Sequence, residues 1–280
     1  MKLNPMESIP GITDIGSWSE VKLEIVRAYA EKFSAVLSKQ EFIKHDYIDA
    51  FAGAGFHLSR ETKGIVPGSP LNALYVDPPF NELYLIDLDG NKINILRELT
   101  ENRSNVHIYQ GDCNEVLLEQ VFPKVRYEDY RRALCLLDPY GLHLNWEVIA
   151  TAGKMKSVEI FLNFPIMDMN RNVLLKKAEL ATERESERMT AFWGDETWRT
   201  AAYAEPAQAN LFGLAEIKKV SNDTIAEAFR SRLKDVAGFR FVPKPVRVKN
   251  SIGATLYYLF FASHNETGNK IAEHILENYR

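Results

Sequence analysis

Over the first 165 residues, short apolar runs alternate with amphipathic segments, and this rhythm constrains the fold more than any other feature. Five runs read as strands: Tyr47-Ile48-Asp49-Ala50-Phe51, Leu83-Tyr84-Leu85-Ile86, Val106-His107-Ile108-Tyr109, Ala133-Leu134-Cys135-Leu136-Leu137 and Val158-Glu159-Ile160-Phe161-Leu162. Helical spacing occupies 17–38, 68–76, 90–100, 113–121 and 145–153. In the first helix Val21, Ile25, Ala28, Tyr29, Phe33, Val36 and Leu37 share a face, and Ser17 or Ser19 stands where a cap belongs. Continuous apolar strands spaced by helices imply a parallel sheet covered on both faces.

After Pro165 the rhythm stops. Residues 169–232 read as helical and charged, with Lys176-Lys177 and Glu183-Arg184-Glu185. Strand character returns at 239–248 and 255–262, joined through Asn250-Ser251-Ile252-Gly253 as an antiparallel hairpin, and a helix at 268–279 closes the chain. A plain dinucleotide-binding fold would place another parallel strand–helix unit there. The expected class is therefore α/β: a Rossmann-like class I methyltransferase fold, mostly parallel and doubly wound, with an antiparallel edge hairpin and a helical insertion. Residues 1–165 and 236–280 form the expected cofactor-binding domain, and 166–235 the insertion.

Composition fits this size of core: 280 residues, 46% hydrophobic. The formal net charge of -4 gives no global field that attracts nucleic acid or anionic membrane. Cys113 and Cys135 lack metal-ligand spacing and read as buried thiols of a reducing compartment. The Met-Lys-Leu-Asn-Pro start lacks the apolar region of a signal peptide. No apolar run approaches the ~20 residues that span a bilayer. The expectation is a cytoplasmic protein without a membrane partner.

The first strand runs into Asp49-Ala50-Phe51-Ala52-Gly53-Ala54-Gly55, where Gly53 and Gly55 permit a tight turn and close approach to a ligand. An ordinary strand-to-helix turn is the alternative. The second strand ends in Asp87-Leu88-Asp89; Asp87 is placed for ribose hydroxyls and Asp89 for capping the next helix. The third leads to Asp112-Cys113, where Asp112 either accepts from an adenine amino group or caps its helix. Acids at three successive strand ends, with no phosphate-binding Gly-Lys-Ser/Thr loop, point to S-adenosylmethionine. Phe51, Ala52, Gly53, Gly55, Asp87, Leu88, Asp112, Cys113 and Asp138 then form its seat, with Asp49 toward the methionine end.

Three segments compete for the reaction centre. Asp77-Pro78-Pro79-Phe80 matches an amino-methyltransferase motif by letter, but it precedes the second strand and reads as a turn. Asp138-Pro139-Tyr140-Gly141 follows the fourth strand; Asp138 is placed to orient an attacking nitrogen and Tyr140 to stack on a flat substrate. A β-turn is the plainer alternative. Asn163-Phe164-Pro165 follows the fifth strand, and Asn163 and Arg171 are candidate substrate contacts. His57 and His143 are the histidines nearest these loops, and no histidine set has metal-ligand spacing.

This ordered set resembles the three-Cys-motif partner family, a class I S-adenosylmethionine-dependent methyltransferase-like group. The matching stretches are Tyr47 to Gly55, Gly68-Ser69-Pro70-Leu71, Gly111-Asp112-Cys113-Asn114-Glu115 and Leu137-Asp138-Pro139-Tyr140-Gly141. Leu162-Asn163-Phe164-Pro165 with Asn170-Arg171-Asn172, Phe192-Trp193-Gly194-Asp195 with Trp198, and Tyr257 to Ser263 with Thr267-Gly268 complete it. Asp87 stands where Glu is commoner and Tyr140 where Phe is frequent; both changes keep the chemistry. The resemblance implies a companion protein with a three-cysteine motif and leaves the substrate open.

For the acceptor, the sharpest expectation is an amino group of a nucleic-acid base. A local basic stretch carries Arg230, Arg232, Lys234, Arg240, Lys244, Arg247 and Lys249 with Phe239 and Phe241 interleaved. A solvated helix end and edge strand is the alternative. Methylation of a protein or small molecule stays open. So does a catalytically silent partner that docks through Trp193 and Trp198, residues that otherwise read as core.

Overall fold

The computed structural model describes residues 13–175, 180–204 and 218–280. Along the chain run β1 (Thr13–Ile15), α1 (Ser17–Leu37), β2 (Lys44–Asp49), β3 (Phe56–Ser59), β4 (Ile65–Pro67), α2 (Ser69–Leu74), β5 (Leu83–Asp87), α3 (Gly90–Thr100), β6 (Val106–Gln110) and α4 (Cys113–Val116). Then come β7 (Arg131–Leu137), α5 (Trp146–Met155), β8 (Val158–Phe164), α6 (Ile166–Asn172), α7 (Glu183–Trp193), α8 (Trp198–Ala202), β9 (Tyr203–Ala204), β10 (Lys218–Lys219), α9 (Asn222–Asp235), β11 (Val246–Lys249), β12 (Thr255–Ala262) and α10 (Glu266–Glu277).

The central sheet has seven strands in the order β11-β12-β8-β7-β2-β5-β6. β2 pairs in parallel with β5 and β7, β5 with β6, and β7 with β8. β12 runs antiparallel to both its neighbours. The hairpin is present, but its antiparallel member is the inner strand, and β11 at the edge points the same way as the first five. This is the mostly parallel α/β sheet of the class I methyltransferase fold.

Helices cover both faces, which is why β8 is buried at every position rather than at alternate ones. On one face α1, α2, α3 and α10 enclose a core in which Tyr29 and Phe161 meet edge-on at 5.4 Å. On the other, α5 and the insertion helices share one core with the sheet. The Phe229 ring of α9 lies 4.7 Å from Phe164, 5.3 Å from Trp193 and 5.6 Å from Phe260. Trp193 and Trp198 are buried there and give their indole N–H groups to Thr197 and Thr190. They are core residues and offer no docking surface.

Several sequence expectations are corrected. The strand expected over 239–248 is confined to β11; residues before it make one isolated bridge, Phe241 to Ser263. Pro243 and Pro245 lack the amide donors a ladder needs. β8 extends through Asn163, so that residue lies in the strand rather than after it. Gly16, not Ser17 or Ser19, occupies the N-cap of α1 and makes no side-chain cap bond. The helix expected over 113–121 is α4 followed by a π turn at Leu117–Val121. β1, β3 and β4 form an unforeseen small sheet beside the glycine loop. Asp77-Pro78-Pro79-Phe80 is a loop leading into β5, as expected, with Phe80 packed on His45 and Tyr47. Lys176-Lys177 lie outside the described residues.

Candidate active site

β2 delivers Asp49 to the C-terminal edge of the sheet, and the chain then turns through Phe51, Ala52, Gly53 and Gly55. Gly53 and Gly55 adopt φ of 67° and 89°, the left-handed region that disfavours side chains. A Cβ at Gly53 would meet nothing within 4 Å, so the loop backbone there faces open space. Gly68 pins the loop from below, donating its N–H to the Gly55 carbonyl at 2.7 Å.

Asp49 is fully buried. It accepts from the Phe51 N–H at 3.2 Å, the Tyr47 hydroxyl at 3.3 Å and the Ser69 hydroxyl. Burial pushes its carboxyl up to about 7 against the pull of these donors. It braces the turn from inside, with its carboxylate engaged by the protein's own donors. Asp87, 7% exposed, ties the loop to β5: its oxygens accept from the Gly53 N–H at 2.8 Å and the Asp89 N–H at 2.9 Å. Each oxygen keeps a lone pair. Leu88 beside it is 71% exposed. Asp89 caps α3 through the Asn91 N–H.

Asp112 caps α4, taking the Asn114 N–H at 2.7 Å and its side-chain amide at 2.8 Å. Asn114 in turn accepts the Asn145 N–H at 2.7 Å, which links the end of β6 to the loop after β7. Cys113 is buried, and desolvation pushes its thiol up to about 12.

Beside the glycine loop opens a cleft of about 380 Å³. It gathers Phe51, Ala52, Gly53, Asp138, Tyr140 and Asn163 of the expected residues; Asp49, Gly55, Asp87, Leu88, Asp112 and Cys113 are off its wall. At its centre Lys22 of α1 makes an ion pair with Asp138, and Asn163 donates its amide to the other Asp138 oxygen at 2.8 Å. A carboxylate only accepts, so Asn163 must present its nitrogen to Asp138 and its oxygen elsewhere. That oxygen is buried and has no partner. Asp168 of α6 repeats the pattern: one oxygen takes the Asn172 amide at 3.0 Å, and the other is buried without a partner. Gly141, at φ 57°, lets the loop approach, because a Cβ there would lie 2.8 Å from that free Asp168 oxygen.

Lys22 and Asp168 are cleft residues that the sequence analysis did not single out. Lys22 did carry a signal. It lies on the helical stripe of Ile25, Tyr29 and Phe33, where a lysine requires a buried partner. It also sits 5.6 Å over the Tyr257 ring. Among the described residues Lys22 is the sole Lys or Arg on the cleft wall, against Asp14, Asp138 and Asp168, so this lining is acidic and rich in acceptors.

Tyr140 is 60% exposed at the rim, with the Lys92 ammonium 5.2 Å from its ring. His57 lines the cleft. His143 faces solvent and lies 3.1 Å from the Arg188 guanidinium. Arg171 is exposed and off the cleft wall.

The basic stretch does not form one surface. Arg232 points inward, to the Trp193 carbonyl at 2.5 Å and Asp195 at 2.6 Å. Arg230 is held by the Val242 carbonyl and Glu227, and Arg247 by Asp223. Arg240 lies at the opposite end of the sheet beside the Phe241–Ser263 bridge, Lys244 precedes β11, and Arg247 and Lys249 lie on β11 toward the cleft end. Among the described residues no cluster of three or more His, Cys, Asp or Glu could hold a metal ion. No described helix is long and apolar enough to cross a membrane.

No family model matches the sequence, and no curated protein matches it. The three-Cys-motif partner resemblance therefore rests on its motif set. Among solved structures, protein LPL1258 from Legionella pneumophila has a TM-score of 0.50 at 11% identity, covering 97% of this chain and 94% of its own. The N-methyltransferase NodS from Bradyrhizobium japonicum, in complex with S-adenosyl-L-homocysteine, has a TM-score of 0.40 at 10% identity over 89% of each chain. The methyltransferase domain of bacterial CtHen1 has a TM-score of 0.39 at 10% identity, covering 85% of this chain and 99% of its own. At such identities the likeness concerns the fold alone.

Proposed function

We propose that this chain is an S-adenosylmethionine-dependent methyltransferase acting on an amino group of a nucleic-acid base. The observation that carries this reading is the pair of partnerless acceptors, Asn163 Oδ1 and Asp168 Oδ2, buried in the cleft beside the glycine loop. Acceptors left open call for a ligand that brings N–H donors.

The residues present fit the cofactor. Open space at Gly53 admits a ligand against the loop backbone, and the acidic wall suits a sulfonium cation rather than a phosphate. When bound, the cofactor supplies an electrophilic methyl group. The free lone pairs of Asp87 suit ribose hydroxyls, and exposed Leu88 offers an apolar contact for the adenine.

Lys22 and Asp138 act together as positioning residues that fix the Asn163 amide. Asn163 Oδ1 would accept one N–H of the acceptor amine and so orient its nitrogen. Methyl transfer would form the N–C bond as the C–S bond breaks to leave S-adenosylhomocysteine, and the extra proton on nitrogen would pass to Asp168 or water. The exposed Tyr140 ring stacks on the base. Of the expected basic contacts, Arg247 and Lys249 of β11 stand toward the cleft end of the sheet. The two buried thiols suit a reducing cytoplasm.

A second reading is a silent cofactor-fold partner of a three-cysteine-motif companion. It is favoured by one observation: both Asp138 oxygens are already engaged, by Lys22 and Asn163. Transfer of radiolabelled methyl from S-adenosylmethionine to single-stranded oligonucleotides separates the two. Label that appears with the native chain and disappears with Asn163→Leu supports the enzyme. Cofactor binding without label on any nucleic acid rejects the proposed acceptor and favours the partner reading.

A further inference from the structure

A second cleft, about 350 Å³, lies at the N-terminal ends of β7 and β8, between α1 and α10. That volume is in the range of small-metabolite sites, about 300–1,000 Å³. It is separated from the glycine loop by the length of the sheet. On its floor Glu159 is buried and accepts from the Tyr29 hydroxyl and, at 2.9 Å, from Ser263. Beside it the Ser157 hydroxyl is buried without a hydrogen-bond partner. The wall also holds Arg132, Lys156 and Arg240.

These three cations set the cleft apart. Among the described residues none of them is in an ion pair, although most other arginines of the described chain are. The Arg132 guanidinium is stacked 3.6 Å over the Tyr127 ring, which fixes its plane. Burial lowers the pKa of His264, whose Nε2 lies 2.5 Å from the Gly153 carbonyl, so it adds no charge at neutral pH. The wall carries three cations against the hydrogen-bonded Glu159 carboxyl, with Glu266 of α10 near Arg240, so its cations outnumber its acids, the reverse of the cleft beside the glycine loop.

We propose that this cleft is a second ligand site that takes a phosphate-bearing small molecule. The phosphate meets Arg132, Lys156 and Arg240, and a hydroxyl on its body meets Ser157 and Glu159. Three cations on one wall suit a dianion better than a single carboxylate. The open Ser157 hydroxyl accounts for a polar group beyond the phosphate. The site does not rest on the methyltransferase reading.

Calorimetric titration of the full chain with ribose 5-phosphate, and separately with inorganic phosphate, tests this. Both probes are expected to bind at one site, the ester more tightly, with neither displaced by saturating S-adenosylhomocysteine. Binding of inorganic phosphate as tight as the ester would assign the site to free phosphate. Lys156→Glu with Arg240→Glu changes two exposed side chains, and should weaken either probe by about tenfold or more while melting stays cooperative. Ser157→Ala should weaken the ester and leave inorganic phosphate unchanged. No heat from either probe, binding that survives the double charge reversal, or displacement by S-adenosylhomocysteine would each overturn the proposal.

Discussion

Each end of the central sheet buries a carboxylate. Asp49 lies under the glycine loop and accepts from a backbone amide, a phenol and a hydroxyl; Glu159 lies beside the start of α10 and accepts from Tyr29 and Ser263. Burial pushes both up to about 7. What differs is their surroundings. The cleft by Asp49 leaves acceptors without partners and has its one lysine neutralised, whereas the cleft by Glu159 holds cations that no carboxylate pairs among the described residues. A buried acid therefore marks neither end as the site of chemistry. The unsatisfied groups around it do, and they call for donors at one end and an oxyanion at the other.

The comparison breaks first at Asp138. Asp138→Ala removes the group that holds both Lys22 and Asn163, and is expected to lower methyl transfer by about 10³-fold or more with melting retained. Full activity in a radiolabel assay would move the reaction centre away from this triad. The layer shared by both ends is next. Phe229→Ala opens a cavity among Phe164, Trp193 and Phe260, and should cost about 3–5 kcal/mol in denaturant unfolding. A loss below about 1 kcal/mol would mean that the insertion does not share the sheet's core.

Asp87→Ala should weaken S-adenosylhomocysteine by about 1–3 kcal/mol in calorimetry, because the loop amide of Gly53 and the ribose hydroxyls lose their acceptor. Unchanged affinity would reject the ribose assignment. The smallest effect is on pH dependence. Asp49 and Glu159 hold protons in the folded state that the unfolded chain sheds above its ordinary carboxyl range. Stability should therefore fall as pH rises from about 4.5 to about 7, and level off above that. Glu159→Gln and Asp49→Asn should each flatten the melting-temperature slope across this window. A slope that neither variant changes would show that these acids ionise normally in the fold.

The five parallel strands were legible from their apolar centres, although β2 runs from Lys44 to Asp49 rather than 47–51 because its polar start, Lys44-His45-Asp46, pairs with β7; α3 matches its expected span of 90–100. The order of strand-end acids was legible too, since each follows its strand directly. Lys22 and Asp138 are 116 residues apart, and no local pattern joins them; only the oddity of a lysine on an apolar stripe hinted at a buried partner. Asp168 becomes visible once Gly141 is seen against its carboxylate. β1, β3 and β4, at three or four residues each, are too short to show a period. Charge along a sequence does not say which way a side chain points: within the basic stretch Arg232 turns inward to hold Asp195.

The most direct test of the central claim is calorimetric titration of the purified chain with S-adenosylhomocysteine. One site of micromolar affinity, about -8 kcal/mol, is expected, weakened in Asp87→Ala. A folded chain that gives no heat with this ligand would contradict the cofactor assignment and, with it, the methyl-transfer reading of the cleft.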